Sequence, residues 1–279
     1  MRQTFSAAGR DEGGGLASGV PRVASVAYFN AKPLIEGLVS VAGVELALRV
    51  PSGLADELRG PADVALLPVI DYQRLTAEGH GLDLLPSAGG IGCDGPTLTV
   101  RLYAKRPVSG CRVLCCDPHS HTSVVLARVL LKRVYGVEPE VRRLDGATGA
   151  DDEVRLLIGD KVITAPPADM PHQVDLGGAW KRHTGLPFVF ACWTARRDRD
   201  IGDLPAVLAD CRRRGLAKVE ALIAEHAVPG GWPADVARRY VTEYLNYEVG
   251  DRQLEAIRLY HRWAAEDGLI ETGHPLTCR

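Results

Sequence analysis

Apolar positions fall in short runs separated by polar punctuation, and the spacing of the runs changes once along the chain. Runs at 22–27, 45–50 and 63–67 predict strands, the third apolar through its middle (Val64-Ala65-Leu66-Leu67) as suits a strand buried on both faces. Between them, Asn30-Ala31-Lys32-Pro33 opens a helix to about residue 38. Pro51-Ser52 opens another over 53–59, with Asp56 and Glu57 in its early turns, and Pro68 opens a third to about residue 75. Strand, helix, strand, helix, strand predicts a doubly wound sheet with right-handed crossovers. Further strands are expected at 82–88, 97–103, 112–116, 141–144 and 154–158, with a long helix over 122–135 ended by Gly136 and a short one over 177–184. The most apolar run, 186–193, predicts a central strand. After it the period becomes helical over 204–228, 233–244 and 251–266. Leu254, Ile257, Tyr260 and Trp263 share one stripe of the last helix, and Gly215 is a candidate break in the first.

This order predicts an α/β protein of two lobes. A second lobe (102–190) is inserted into a first (21–101 and 191–279, with the C-terminal helices), and strands near 99–103 and 190–194 cross between them. Two lobes joined by two crossings close on a ligand by hinge motion. Residues 1–20 read as a disordered extension lacking the apolar core of a signal peptide, and 144–152 as a Gly- and Asp-rich link.

Polar punctuation beside the strand-like runs predicts one cleft built from loop ends: Tyr28-Phe29-Asn30, the stretch 92–99, Ser120-His121-Thr122-Ser123 and Gly159-Asp160. Asp94-Gly95-Pro96 is a strong turn signal that presents hydroxyls and backbone N–H groups at the start of a strand. Ser120–Ser123 sits where a strand hands over to a long helix, so its free N–H groups and the positive dipole end suit a carboxylate or a phosphate. Asn30 is placed to cap a helix, to face the cleft, or to do both. The blander readings make Ser120, Thr122 and Ser123 caps, Asp94 a turn former and Asp160 a cap of the segment after it. They leave His119 and His121 as loop residues, Tyr240, Tyr244 and Tyr247 as packing, and Arg212-Arg213-Arg214 as a solvated face.

Composition narrows the partners. The chain has 279 residues with 33 basic and 35 acidic side chains, a net charge of −2 that points to neither nucleic acid nor a membrane surface. Its 46% hydrophobic content supports a real core, and no apolar run reaches the ~18 residues of a membrane span. Seven Cys, mostly inside apolar runs, read as reduced buried thiols of a cytoplasmic protein. A zinc site from Cys111, Cys115, His119 and His121 lacks any standard ligand spacing, and no phosphate loop or dinucleotide fingerprint occurs.

Five co-linear stretches resemble the chorismate dehydratases, which open the futalosine-dependent route to menaquinone. They are Tyr28-Phe29-Asn30-Ala31-Lys32-Pro33-Leu34, Gly92-Cys93-Asp94-Gly95-Pro96-Thr97-Leu98-Thr99, Ser120-His121-Thr122-Ser123-Val124, Leu156-Leu157-Ile158-Gly159-Asp160 and the run from Gly185 to Trp193. The resemblance covers residues 22 to 193, with a weaker helical tail. It implies a fold like the type II periplasmic binding proteins, used as a lyase that removes water from chorismate to give 3-[(1-carboxyvinyl)oxy]benzoate. It places catalytic roles on Asn30 and on the hydroxyl of Thr99, where the family usually has Ser. Substrate-binding roles fall on Asp94, Gly95, Ser120, His121, Thr122, Ser123 and Asp160, with His121 standing where Arg is more usual. No metal or cofactor is implied, the partner is chorismate, and the chain is expected as a monomer or homodimer. The competing expectation is a non-catalytic binder of small anions with the same fold.

Overall fold

A computed structural model describes residues 20–117, 120–144, 153–271 and 273–279. The extension expected over 1–20 (bar Val20), the link expected over 144–152 (bar Leu144) and His119 lie outside them. Among the described residues, eleven strands form two sheets. The first holds β1 (Arg22–Val26), β2 (Glu45–Arg49), β3 (Val64–Pro68), β4 (Leu82–Leu84), β5 (Gly90–Cys93) and β11 (Phe188–Arg196) in the order β2-β1-β3-β11-β4, with β5 also on β11. The second holds β6 (Val100–Ala104), β7 (Val113–Cys116), β8 (Glu140–Arg143), β9 (Glu153–Ile158) and β10 (His172–Asp175) in the order β10-β6-β9-β7-β8. β1 runs parallel to β2 and β3, and β7 parallel to β8 and β9; β11 is antiparallel to β3, β4 and β5. The strand expected over 82–88 is thus β4 alone, followed by a separate β5 inside the glycine-rich stretch.

The chain leaves the first sheet at Cys93 and joins the second at Val100. It returns through a helix, Leu176–Thr184, to β11. Both passages lie just before the 99–103 and 190–194 strands expected to cross, because β6 pairs along its whole length with β9 and β11 pairs with β5, β3 and β4 of the first sheet. The sequence pattern does not announce β10, because His172–Asp175 is a polar edge strand with no apolar run. Nor does it announce β5, which carries Gly90 and Gly92: a Cβ on Gly92 would sit 2.7 Å from the Phe188 carbonyl, so only glycine lets the two strands approach.

The C-terminal helices hold the two sheets together. Helix Asp251–Glu266 packs on both β11 and helix His121–Tyr135, with Ile257, Tyr260 and Ala264 buried and Leu254 and Trp263 half-buried on its inner face. Helix Leu204–Ala217 continues through Gly215 and breaks at Lys218 instead. Gly215 serves contact: a Cβ there would overlap the Pro33 carbonyl of the facing Lys32–Ile35 helix. Gly215→Ala is expected to lower unfolding free energy by about 1–3 kcal/mol, as overpacking does. Urea denaturation measures it, and an unchanged midpoint would show that the two helices can separate freely.

Candidate functional site

The carboxyl ends of β1 and β3 in one sheet and of β7 and β9 in the other face a common cleft, the usual place for a ligand in α/β folds. The space between them, part of it open to solvent, is enclosed by side chains of both sheets. Each of the four polar punctuations contributes to its wall: Tyr28 and Asn30, Thr97 and Thr99, Ser120 to Ser123, and Gly159. Apolar side chains, among them Leu54, Leu66, Ile91 and Phe190, line the rest. Among the described lining residues there is no Asp, Glu, Lys or Arg, and the titratable groups are Tyr28, His121 and Tyr240.

Asn30 lies in a single 3-10 turn, Phe29–Ala31, and caps no helix. Its Oδ1 is buried with no hydrogen-bond partner. A buried acceptor without a donor is costly, and here it borders the cleft. Thr99, 2% exposed, has its Oγ1 2.7 Å from Tyr240 Oη. Burial pushes the Tyr240 phenol well up, so it stays protonated; burial together with the carboxylates of Asp117 and Asp160 raises Tyr28 as well.

Thr99 is aimed by the turn before it. Leu98 holds φ at +66°, a conformation that strains a branched residue and persists only where neighbours enforce it. The enforcing group is Asp175: its carboxylate accepts from the amides of Thr97 (2.9 Å) and Leu98 (2.8 Å), and from Gly178 (3.0 Å) at the start of the returning helix. One side chain therefore ties both passages between the sheets. The Thr99 carbonyl then accepts from Gly159 (2.9 Å), fixing the end of β9 beside it.

The third wall is the N-terminus of helix His121–Tyr135. Ser120 is its N-cap, its Oγ accepting from the Ser123 amide at 3.2 Å. The helix's own pattern leaves the amides of His121 and Thr122 without an intrahelical acceptor. The Thr122 hydroxyl donates to the Phe190 carbonyl (3.3 Å), and the Thr122 carbonyl accepts from Tyr260 (2.9 Å), so this turn is pinned to β11 and to the C-terminal helix. His121 Nδ1 lies 2.8–2.9 Å from both oxygens of Asp71, on helix Val69–Ala77 of the first lobe. Asp71 is 1% exposed and also pairs with Arg74 at 3.0 Å.

Three expected substrate-binding residues stand elsewhere. Asp94 pairs with Lys181, and it and Gly95 line a separate recess with Glu243 and Asn246. The Asp-Gly-Pro sequence there is turn chemistry that carries the chain between the sheets. Asp160 is behind the wall: its Oδ1 accepts from Trp232 Nε1 at 3.0 Å, and burial raises its carboxyl. Trp232 in turn stacks on Tyr240, centroids 5.1 Å apart. Tyr240, Asp71 and Asp175 contribute to the site without having been expected there. Tyr240 sits in a helical pattern that favours packing; the one signal for Asp71 is a carboxylate intruding just after an apolar strand.

A family model described as menaquinone biosynthesis matches residues 21–266. The chain is 31% identical over 229 residues to the chorismate dehydratase of Thermus thermophilus, covering 75% of this chain and 80% of that one. Among solved structures, a protein of Archaeoglobus fulgidus superimposes with a TM-score of 0.69 at 16% identity, covering 89% of this chain and 98% of that chain. The periplasmic aliphatic sulphonate binding protein of Escherichia coli gives 0.60 at 15% identity, covering 93% of each. The fold is therefore the two-lobed one of periplasmic binding proteins. No described helix is long and apolar enough to cross a membrane.

Proposed function

The chain belongs to the menaquinone-biosynthesis family, and we propose that it is a lyase acting as a chorismate dehydratase, converting chorismate to 3-[(1-carboxyvinyl)oxy]benzoate and water. One cavity carries this: Asn30, Thr99 and the start of the 121–135 helix all border it. Chorismate brings two carboxylates, a hydroxyl at C4 and a C3 proton made acidic through the ring diene by the C1 carboxylate. The helix N-terminus and His121 supply anion donors; Asn30 Oδ1 supplies the acceptor for a hydroxyl; apolar side chains enclose the ring.

Elimination breaks the C3–H bond, turns its electron pair into ring π density and expels the C4 oxygen, which leaves as water with a proton. Aromatisation drives it, so orientation and charge stabilisation matter more than a strong protein base. Tyr28 and Tyr240 are held protonated, and His121 is engaged by Asp71. The substrate's own enolpyruvyl carboxylate is then the base that takes the C3 proton. Buried free thiols at Cys93, Cys115, Cys116, Cys192 and Cys211 suit action in the reducing cytoplasm.

Incubating the purified chain with chorismate tests this by ultraviolet spectroscopy. The expected result is loss of the diene absorbance with appearance of an aromatic enol ether. Tight binding without spectral change would leave a non-catalytic anion binder and defeat the proposal.

A further inference from the structure

Between Thr97 and Thr99, both on the cavity wall, the backbone folds back on itself. The Thr99 amide donates at 2.8 Å to the Thr97 carbonyl, two residues before it, and Leu98 between them holds φ at +66°. That is a γ-turn of positive φ, the rare and strained form. Leu98 is the one residue other than glycine with a positive φ among the described residues. Left alone, a leucine there relaxes to negative φ and swings the residue after it. Two groups outside the cavity prevent this. Asp175 Oδ2 accepts from the Leu98 amide at 2.8 Å, and Arg101 Nε donates to the Leu98 carbonyl at 3.0 Å. The peptide groups on both sides of Leu98 are thereby fixed, and neither of the two holding side chains lines the cavity.

We propose that Asp175 is a positioning residue for the elimination: its carboxylate holds the γ-turn that aims the Thr99 hydroxyl into the cavity. The two oxygens divide the work. Oδ1 accepts from Gly178 at 3.0 Å, which caps helix Leu176–Thr184, and from Thr97 at 2.9 Å. Capping needs that oxygen alone. Oδ2 is spent on the strained residue, and Arg101 Nε lies 3.8 Å from it, so the two holds on Leu98 brace each other.

The packing around the turn fits a fixed hydroxyl. The start of the returning helix presses on it: a Cβ on Gly177 would sit 2.7 Å from the Gly95 carbonyl and 3.2 Å from Thr97 Cβ. On the far side the Thr99 carbonyl is tied to the Gly159 amide, so the turn and the end of β9 are held together. A reacting group misplaced by about 1 Å costs on the order of 10²-fold in rate. Holding a strained turn therefore reaches the chemistry from outside the cavity.

The role of Asp175 rests on the dehydratase proposal, and the two fail differently. An unmodified chain that leaves chorismate unchanged defeats the dehydratase proposal; the Asp175 variants are measured against an active parent enzyme. Asp175→Asn keeps Oδ1 and the helix cap but sets an NH₂ against the Leu98 amide. It is expected to lower kcat about 10–100-fold with KM within about threefold, in a chain whose circular dichroism is unchanged. Glycine adopts positive φ without strain, so adding D175N to Leu98→Gly should cost no more than about threefold in kcat. Added to Thr99→Ala, which has no hydroxyl to aim, D175N should likewise cost no more than about threefold. A D175N enzyme with full kcat, or one that loses rate equally in the L98G or the T99A background, would overturn the inference. Should D175N not fold, Arg101→Met decides: it must lower kcat about three- to tenfold, and that loss must shrink below about twofold in the L98G background.

Discussion

Replacing Asn30 by Ala is expected to lower kcat for chorismate by about 10²–10³-fold, with KM changed by no more than a few-fold. The size follows from what mutation of a single polar group aimed at developing charge usually costs. The split between kcat and KM follows from where Asn30 sits. Its Oδ1 is buried without a donor at the edge of the cavity, which makes it a fixed acceptor for a group that donates to it. As the C4 oxygen departs, the hydroxyl's bonding must stay aligned with the ring orbitals, and a fixed acceptor does this without reorganising. Ala removes that alignment. The bulk of substrate binding, by contrast, belongs to the helix start and the apolar walls, which Ala at position 30 leaves alone. Steady-state kinetics of Asn30→Ala, with Asn30→Asp as a companion that keeps the shape and replaces the NH₂ donor by an acceptor, measure the split. A variant with normal kcat would remove Asn30 from the chemistry.

How far the sequence reaches depends on what kind of interaction does the work. The parallel strands of the first sheet were legible because burial on both faces writes a continuous apolar run, as in Val64–Pro68. The helix start at Ser120 was legible because capping is local: the donor and the acceptor are three residues apart. The loop ends that converge on the cavity were legible for the same reason, since strand-to-helix punctuation is a short-range pattern. Asn30 was less so: a polar residue just before Pro33 has the look of a cap, yet the chain makes a 3-10 turn there and frees its side chain for the cleft. Contacts set by distant partners leave no such local mark. Asp175 holds the Thr97 and Leu98 amides across 77 or more residues, and nothing in its own neighbourhood advertises it. Tyr240 meets Thr99 across 141 residues, and a tyrosine at helical spacing is equally at home in a core. Asp94 was legible as a turn former for the same short-range reason, whereas its pairing with Lys181, 87 residues away, was not.

His121→Ala is expected to act on the other kinetic parameter, raising KM about 10-fold or more with kcat within a few-fold. Charge is the reason. The substrate is a dianion, and the described wall of the cavity contains no Lys or Arg. Positive potential there comes from the N-terminus of a 15-residue helix, and the one imidazole of the wall stands at its first position. Asp71 holds that ring from the opposite lobe through Nδ1 and so decides which nitrogen is left for a ligand. A ring that donates from Nδ1 to Asp71 and from Nε2 to a carboxylate makes bonds of the stronger, charge-assisted class. Such a contact is made to the ground state and the transition state alike, because the carboxylate it holds is charged in both; uniform binding of this kind appears in KM. Asp71→Asn should give a smaller rise in KM, since the ring stays but loses the carboxylate that fixes its direction. His121→Arg should keep KM near that of the unmodified enzyme if charge is what matters, the guanidinium being able to pair with Asp71 and still face the cleft. A His121→Ala enzyme with unaltered KM would mean that the helix amides alone hold the dianion, and that the His121–Asp71 contact serves only to join the lobes.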